Sequence, residues 1–137
     1  MDRFFKFDFS QVTCASFSMT MCTKLEYVNF GNANLSKVED LNTMLGGCSS
    51  LKTVDNFFIT FNVKKITDFF NGCGPLTSLD LSNLYTPFLE EMANAFKGCT
   101  SLETIELPNF NNSMITSSSE DNFNIFSDCT NLKYINF

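Results

Sequence analysis

Cysteine recurs along this chain at positions 22, 48, 73, 99 and 129, at spacings of 26, 25, 26 and 30 residues. The strings around these cysteines are near copies: "MCTKLEYVNF", "GCSSLKTVD", "GCGPLTSLDL", "GCTSLETIEL" and "DCTNLKYINF". A period of this size means one supersecondary unit stacked on itself. We number the repeats one to five by their cysteines.

Counting from each cysteine exposes the columns. Three residues on stand Leu25, Leu51, Leu76, Leu102 and Leu132. Six on stand Val28, Val54, Leu79, Ile105 and Ile135. Eight on come Phe30, Leu81, Leu107 and Phe137, while repeat two slips by one, with Asn56 at the position and Phe57 after it. Three before stand Met19, Leu45, Phe70, Phe96 and Phe126. Ten before stand Val12, Val38, Val63 and Leu89, a column that repeat five loses where "SMITSSSEDN" adds about four residues. The segment after each cysteine alternates apolar and polar, which predicts a half-buried strand. The segment before it spaces Leu89, Met92 and Phe96 like a helix. Thr86 and Pro87 suit a helix start, Ser36 and Glu39 have capping-box spacing, and Gly47, Gly72 and Gly98 suit helix ends. Asp128 tolerates the left-handed conformation there; Met21 does not, so repeat one is expected to end its helix differently.

The expectation is an α/β solenoid of about five 25–30-residue strand-plus-short-helix units, with a parallel sheet on one face. One unit cannot bury its own apolar face; stacked at about 4.8 Å per strand, the units can. Each inward side chain then contributes on the order of 1.5–3 kcal/mol. Residues 1–137 make one domain, with 1–21 as N-terminal cap and first helix and 22–137 as the repeats. Phe4 and Phe7 fall one period ahead of Phe30 and Ala33, and "RFFKFDF" can cover the first layer.

"FKGCTSLETIELPNF" and "FNGCGPLTSLDLSNL" resemble the BspA-like leucine-rich repeats of bacterial and protist surface proteins. The resemblance covers nearly the whole chain, strongest over residues 63–110 and weakest over 1–21 and 111–128. It implies a leucine-rich-repeat solenoid with a protein-binding or adhesive role, and it brings no catalytic residues.

Five of the six cysteines share one structural position, and stacked side chains pointing the same way disfavour a disulfide's χ3 near ±90°. Cys22, Cys48, Cys73, Cys99 and Cys129 are therefore expected reduced and buried. Cys14, whose counterparts are Asp40, Lys65, Glu91 and Asp121, is expected exposed. Without histidine or C-x2-C pairs, neither a metal site nor a cofactor is expected, and no catalytic pair involving histidine can form. Glu90, Glu91, Glu120 and Asp121 are expected on solvated helix surfaces. The net charge of −6, with nine basic residues, argues against direct nucleic-acid binding. No apolar run approaches a membrane span, and "MDRFFKFDF" does not read as a signal peptide, so a cytoplasmic location is expected, or a cell-surface or secreted one if a leader was removed.

Alternation turns two columns to solvent. They are Tyr27, Thr53, Ser78, Thr104 and Tyr134, and Asn29, Asp55, Asp80, Glu106 and Asn136. All ten are candidate partner-binding residues, suited to a protein with a basic surface, with the tyrosines as anchors. The leading expectation is a non-enzymatic protein-interaction module. The alternatives are a small acidic inhibitor, of anti-CRISPR type, that occupies the basic nucleic-acid channel of an effector nuclease, and a fragment of a surface adhesin. The segment 130–137 carries core-type Leu132, Ile135 and Phe137 in a strand, and self-association or end-on docking is expected there.

Overall fold

The computed structural model describes residues 11–31, 33–57, 62–111, 113–115 and 124–136. The proposed cap in "RFFKFDF", Glu120, Asp121 and Phe137 lie outside them.

Among the described residues, five three-residue strands follow the cysteines: β1 (Tyr27–Asn29), β2 (Thr53–Asp55), β3 (Ser78–Asp80), β4 (Thr104–Glu106) and β5 (Tyr134–Asn136). All pairings are parallel, and equivalent residues face one another, as Val28 does Val54 and Leu79 does Ile105. The expected continuous sheet is divided, however. β1 pairs with β2, and β3, β4 and β5 form a second sheet. The division coincides with the slipped repeat. Asn56 takes a left-handed φ of 52°, and Phe57, the extra residue, turns into the core at 3% exposure. There its ring meets Phe30 at 5.2 Å and Phe69 at 5.3 Å.

The expected helices are absent from the described residues, and a ribbon of successive tight turns replaces them. In repeat two the N–H groups of Met44, Gly46 and Cys48 donate to carbonyls three residues back. Those of Leu41, Thr43, Leu45 and Gly47 donate instead to Lys65, Thr67, Phe69 and Asn71 in the next repeat. Local and inter-repeat bonds thus alternate residue by residue, and the scheme recurs in repeats one to four. A helix would direct every N–H inward to its own turn. Two left-handed positions per repeat prevent that. Five before the cysteine stand Phe17, Thr43, Asp68, Asn94 and Asn124, and one before stand Met21, Gly47, Gly72, Gly98 and Asp128, all with positive φ.

Met21 accordingly adopts the conformation it was expected to avoid, at φ 58°. Thr86 does not cap a helix; it is buried, and its Oγ1 accepts from the Asn111 N–H at 3.3 Å. Ser36 and Glu39 form no capping box: the Ser36 N–H donates to the Asn34 side chain, and Glu39 pairs with Lys64. Glu91 is likewise no free surface charge, since it meets Lys65 at 2.7 Å.

The core runs between sheet and ribbon. Leu51, Leu76 and Leu102 are fully buried, and Phe70, Phe96 and Phe126 stack at 5.8 and 5.2 Å. The column that repeat five was expected to lose is continued by Ile115, which packs against the core sixteen residues after Cys99, as Leu89 lies sixteen after Cys73. Each neighbour excludes water from the layer beside it, so burial fades toward the ends. Leu132 is half-buried and Ile135 is 36% exposed.

All six cysteines are free, and Cys14 is exposed as expected. Cys48, Cys73 and Cys99 are buried, Cys129 is half-buried, and Cys22, against expectation, is exposed. Cys22 is the first member of its column, so among the described residues no earlier repeat lies over it.

Candidate protein-binding face

Each strand turns its middle residue inward and its flanking residues outward, because a strand's side chains alternate. All ten predicted site residues lie on this outward side. Tyr27, Thr53, Asp55, Ser78, Asp80, Tyr134 and Asn136 are exposed, and Asn29, Thr104 and Glu106 are half-buried.

The structure brings them together in two groups, not one strip. In the first, Tyr27 faces Thr53 and Asn29 faces Asp55. The Tyr27 hydroxyl donates to Asp55 Oδ2 at 3.0 Å and accepts from Asn29 Nδ2 at 2.9 Å. Asn29 Oδ1 accepts from Asn56 Nδ2 at 2.9 Å and from the Gly31 N–H at 2.7 Å. The aromatic ring is therefore held in one pose although 44% exposed. In the second group Ser78 faces Thr104, which faces Tyr134, and Asp80 faces Glu106, which faces Asn136. Asn136 Nδ2 donates to Glu106 Oε2 at 2.6 Å. Asp80 accepts from the Ser82 N–H at 2.8 Å, and the Ser82 hydroxyl and N–H hold its carboxyl below the ordinary range.

The sheet division falls between Asp55 and Asp80, so the three carboxylates do not form one uniform row. Asp55 and Glu106 each accept from a neutral neighbour and Asp80 from its own turn, which spreads their charge without cancelling it.

Sequence reasoning missed Asn56 and the column four after the cysteine: Glu26, Lys52, Thr77, Glu103 and Lys133. At these strand entries Lys52 meets Glu26 at 2.7 Å and Lys133 meets Glu103 at 2.9 Å. The Lys52 ammonium lowers the Glu26 carboxyl's pKa through its hydrogen bond and its charge. Opposite charges at one position of adjoining repeats were the signal that could have revealed the column.

Behind the face, the thiols of four cysteines each donate to a carbonyl of the preceding repeat. Cys48 reaches Met19 at 3.2 Å, Cys73 reaches Leu45 at 3.3 Å, Cys99 reaches Phe70 at 3.3 Å and Cys129 reaches Phe96 at 3.0 Å. Burial is the main cause of their raised pKa values, with Cys99 pushed up to about 12. The thiols therefore serve as neutral donors and not as nucleophiles. Among the described residues no group of three His, Cys, Asp or Glu is arranged to hold a metal ion. Likewise, among the described residues no helix is long and apolar enough to cross a membrane.

Residues 13–135 match the family described as "Mycoplasma protein of unknown function, DUF285". The chain belongs to this family. The match runs from Thr13 to Ile135, taking in β1 to β4 whole and all but the last residue of β5. None of the curated proteins matches it. Among solved structures, this DUF285 chain is similar to a leucine-rich repeat protein from Bacteroides ovatus ATCC 8483, at 19% identity and a TM-score of 0.34. The similarity covers 71% of this chain and 35% of that protein, so the chain spans about a third of the other's length.

Proposed function

We propose that this DUF285 chain is a non-enzymatic protein-interaction module of BspA-like leucine-rich-repeat type that binds a basic protein surface through the outward side of its strands. The observation that carries the reading is the Tyr27 network. An exposed aromatic is fixed by hydrogen bonds to Asp55 and Asn29, so little side-chain freedom remains to be lost on binding. Tyr134 offers a second aromatic, 70% exposed, at the other end of the strand series, and Asp55, Asp80 and Glu106 lie between them. The acidic-inhibitor reading is less well served, since Glu26, Glu39, Glu91 and Glu103 each already meet a lysine.

The test is capture of partners by the immobilised chain from a lysate of the source cells, beside a Tyr27→Ser/Tyr134→Ser variant and a Glu39→Gln/Lys64→Gln control on the ribbon side. A protein held by wild type and control but lost by the tyrosine variant supports the reading. Equal capture by all three places binding elsewhere.

A further inference from the structure

The Tyr27 network uses its hydrogen-bonding capacity unevenly. The Tyr27 hydroxyl has committed its proton to Asp55 Oδ2 at 3.0 Å and accepts one Asn29 N–H at 2.9 Å. Asn29 Oδ1 accepts from Asn56 Nδ2 and from the Gly31 N–H, which fills both of its lone pairs. Asp55 differs. An ionised carboxylate offers about four acceptor sites, and Tyr27 occupies one of them. Among the described residues Asp55 forms no ion pair, and Lys52, three residues earlier in the chain, is held by Glu26 at 2.7 Å.

The vacancy in this network is therefore for a cation with several donors, and it lies beside an aromatic ring that is 44% exposed and fixed in pose. Asp80 occupies the equivalent position of β3 across the sheet division and is exposed like Asp55. Its carboxylate adds to the attraction, because its hydrogen-bond donor is the neutral Ser82 N–H at 2.8 Å. A lysine ammonium answers the charge alone. An arginine guanidinium answers charge and shape together. Its planar face lies on an aromatic ring while its edge directs N–H groups at a carboxylate, and it is less strongly hydrated than an ammonium.

We propose that Tyr27 and Asp55 form a seat for an arginine side chain of the partner, with the guanidinium face on the ring and its edge on the carboxylate. The inference rests on the protein-binding reading above and narrows its basic partner to one that presents arginine. Asn29 acts as a positioning residue, since it holds the Tyr27 hydroxyl from the side opposite Asp55's acceptance of its proton.

The test uses two short glycine peptides as probes, one carrying a single arginine and the other a single lysine. Each is titrated into the isotope-labelled full chain and followed by nuclear magnetic resonance. The arginine peptide is expected to shift the Tyr27 ring and Asn29 side-chain amide signals saturably, and the lysine peptide to bind there about two- to fivefold more weakly. Asp55→Asn keeps an acceptor for the Tyr27 hydroxyl and removes the charge, and should weaken arginine binding by about two- to fivefold. Tyr27→Ser should abolish the preference for arginine over lysine. Unchanged circular dichroism shows that both variants fold. Equal binding of the two peptides by wild type overturns the arginine seat and leaves the basic-partner reading standing, since charge alone then decides. A preference that survives Tyr27→Ser, or shifts centred away from Tyr27 and Asn29, also overturns the seat. No saturable shift with either peptide overturns the seat and the basic-partner reading together.

Discussion

The thiol of Cys73 donates a hydrogen bond to the carbonyl oxygen of Leu45, one repeat earlier, at 3.3 Å. That same carbonyl accepts the Cys48 N–H at 3.2 Å. One oxygen thus closes its own turn and holds the next repeat. A residue at this position must be small, apolar enough for full burial and able to donate one weak hydrogen bond, which describes cysteine.

Reactivity should follow this arrangement. With a thiol reagent on native protein, Cys14 and Cys22 are expected to react, and Cys48, Cys73 and Cys99 only after unfolding. Peptide mapping after timed labelling reads the order. Rapid native labelling of Cys73 would contradict the buried column.

Stability should fall at alkaline pH. The unfolded thiol loses its proton near its ordinary value of 9.0, whereas folded Cys99 holds it to about 12. Below pH 9.0 both states keep the proton and the thiol's contribution is intact. Above that only the unfolded state releases it, so one such thiol lowers stability by about 1.4 kcal/mol per pH unit until the folded value is reached. Urea midpoints at mildly and strongly alkaline pH should show a steeper loss for wild type than for Cys99→Ala. Equal slopes would mean that Cys99 does not titrate differently in the two states.

The left-handed positions should resist substitution for backbone reasons. Gly98 has φ +71°, and a Cβ there would lie 3.5 Å from the Gly72 nitrogen, which is ordinary contact. Gly98→Ala is therefore expected to cost about 1–2 kcal/mol in conformational strain alone, and Gly98→Asn less, because asparagine tolerates this region. Thermal or urea unfolding of the two variants measures the order. An alanine variant as stable as wild type would remove the argument.

The outward carboxylates should matter to binding more than to folding. Asp55→Asn, Asp80→Asn and Glu106→Gln together are expected to change stability by less than about 1 kcal/mol, since their hydrogen bonds are solvent-accessible. Affinity for a basic protein captured by the chain should drop and become less sensitive to salt, because the attraction removed is a screened one. Titration at low and high ionic strength, by calorimetry, tests both. An unaltered salt dependence would exclude these residues from the interface.

The strands, their register and most of the core were legible in the sequence, because alternation and a fixed period each have one structural meaning. Val28, Leu79 and Ile105 had to face inward once Tyr27, Ser78 and Thr104 faced out. The ribbon was not legible in that way. Leu89, Met92 and Phe96 are spaced for a helix, and the same spacing serves successive turns whose side chains fall on one side. A sign is present in Asp68, Asn94 and Asn124, since Asp and Asn accept left-handed backbone, but Phe17 and Thr43 at the same position obscure it. What decided between helix and ribbon was the neighbouring repeat. Its carbonyls accept every second N–H, which makes the turns stable only in the stack, and no single repeat contains that information. The division of the sheet at Asn56 and Phe57 and the pairing of Tyr27 with Asp55 were settled in the same way, by which side chain of one layer met which of the next.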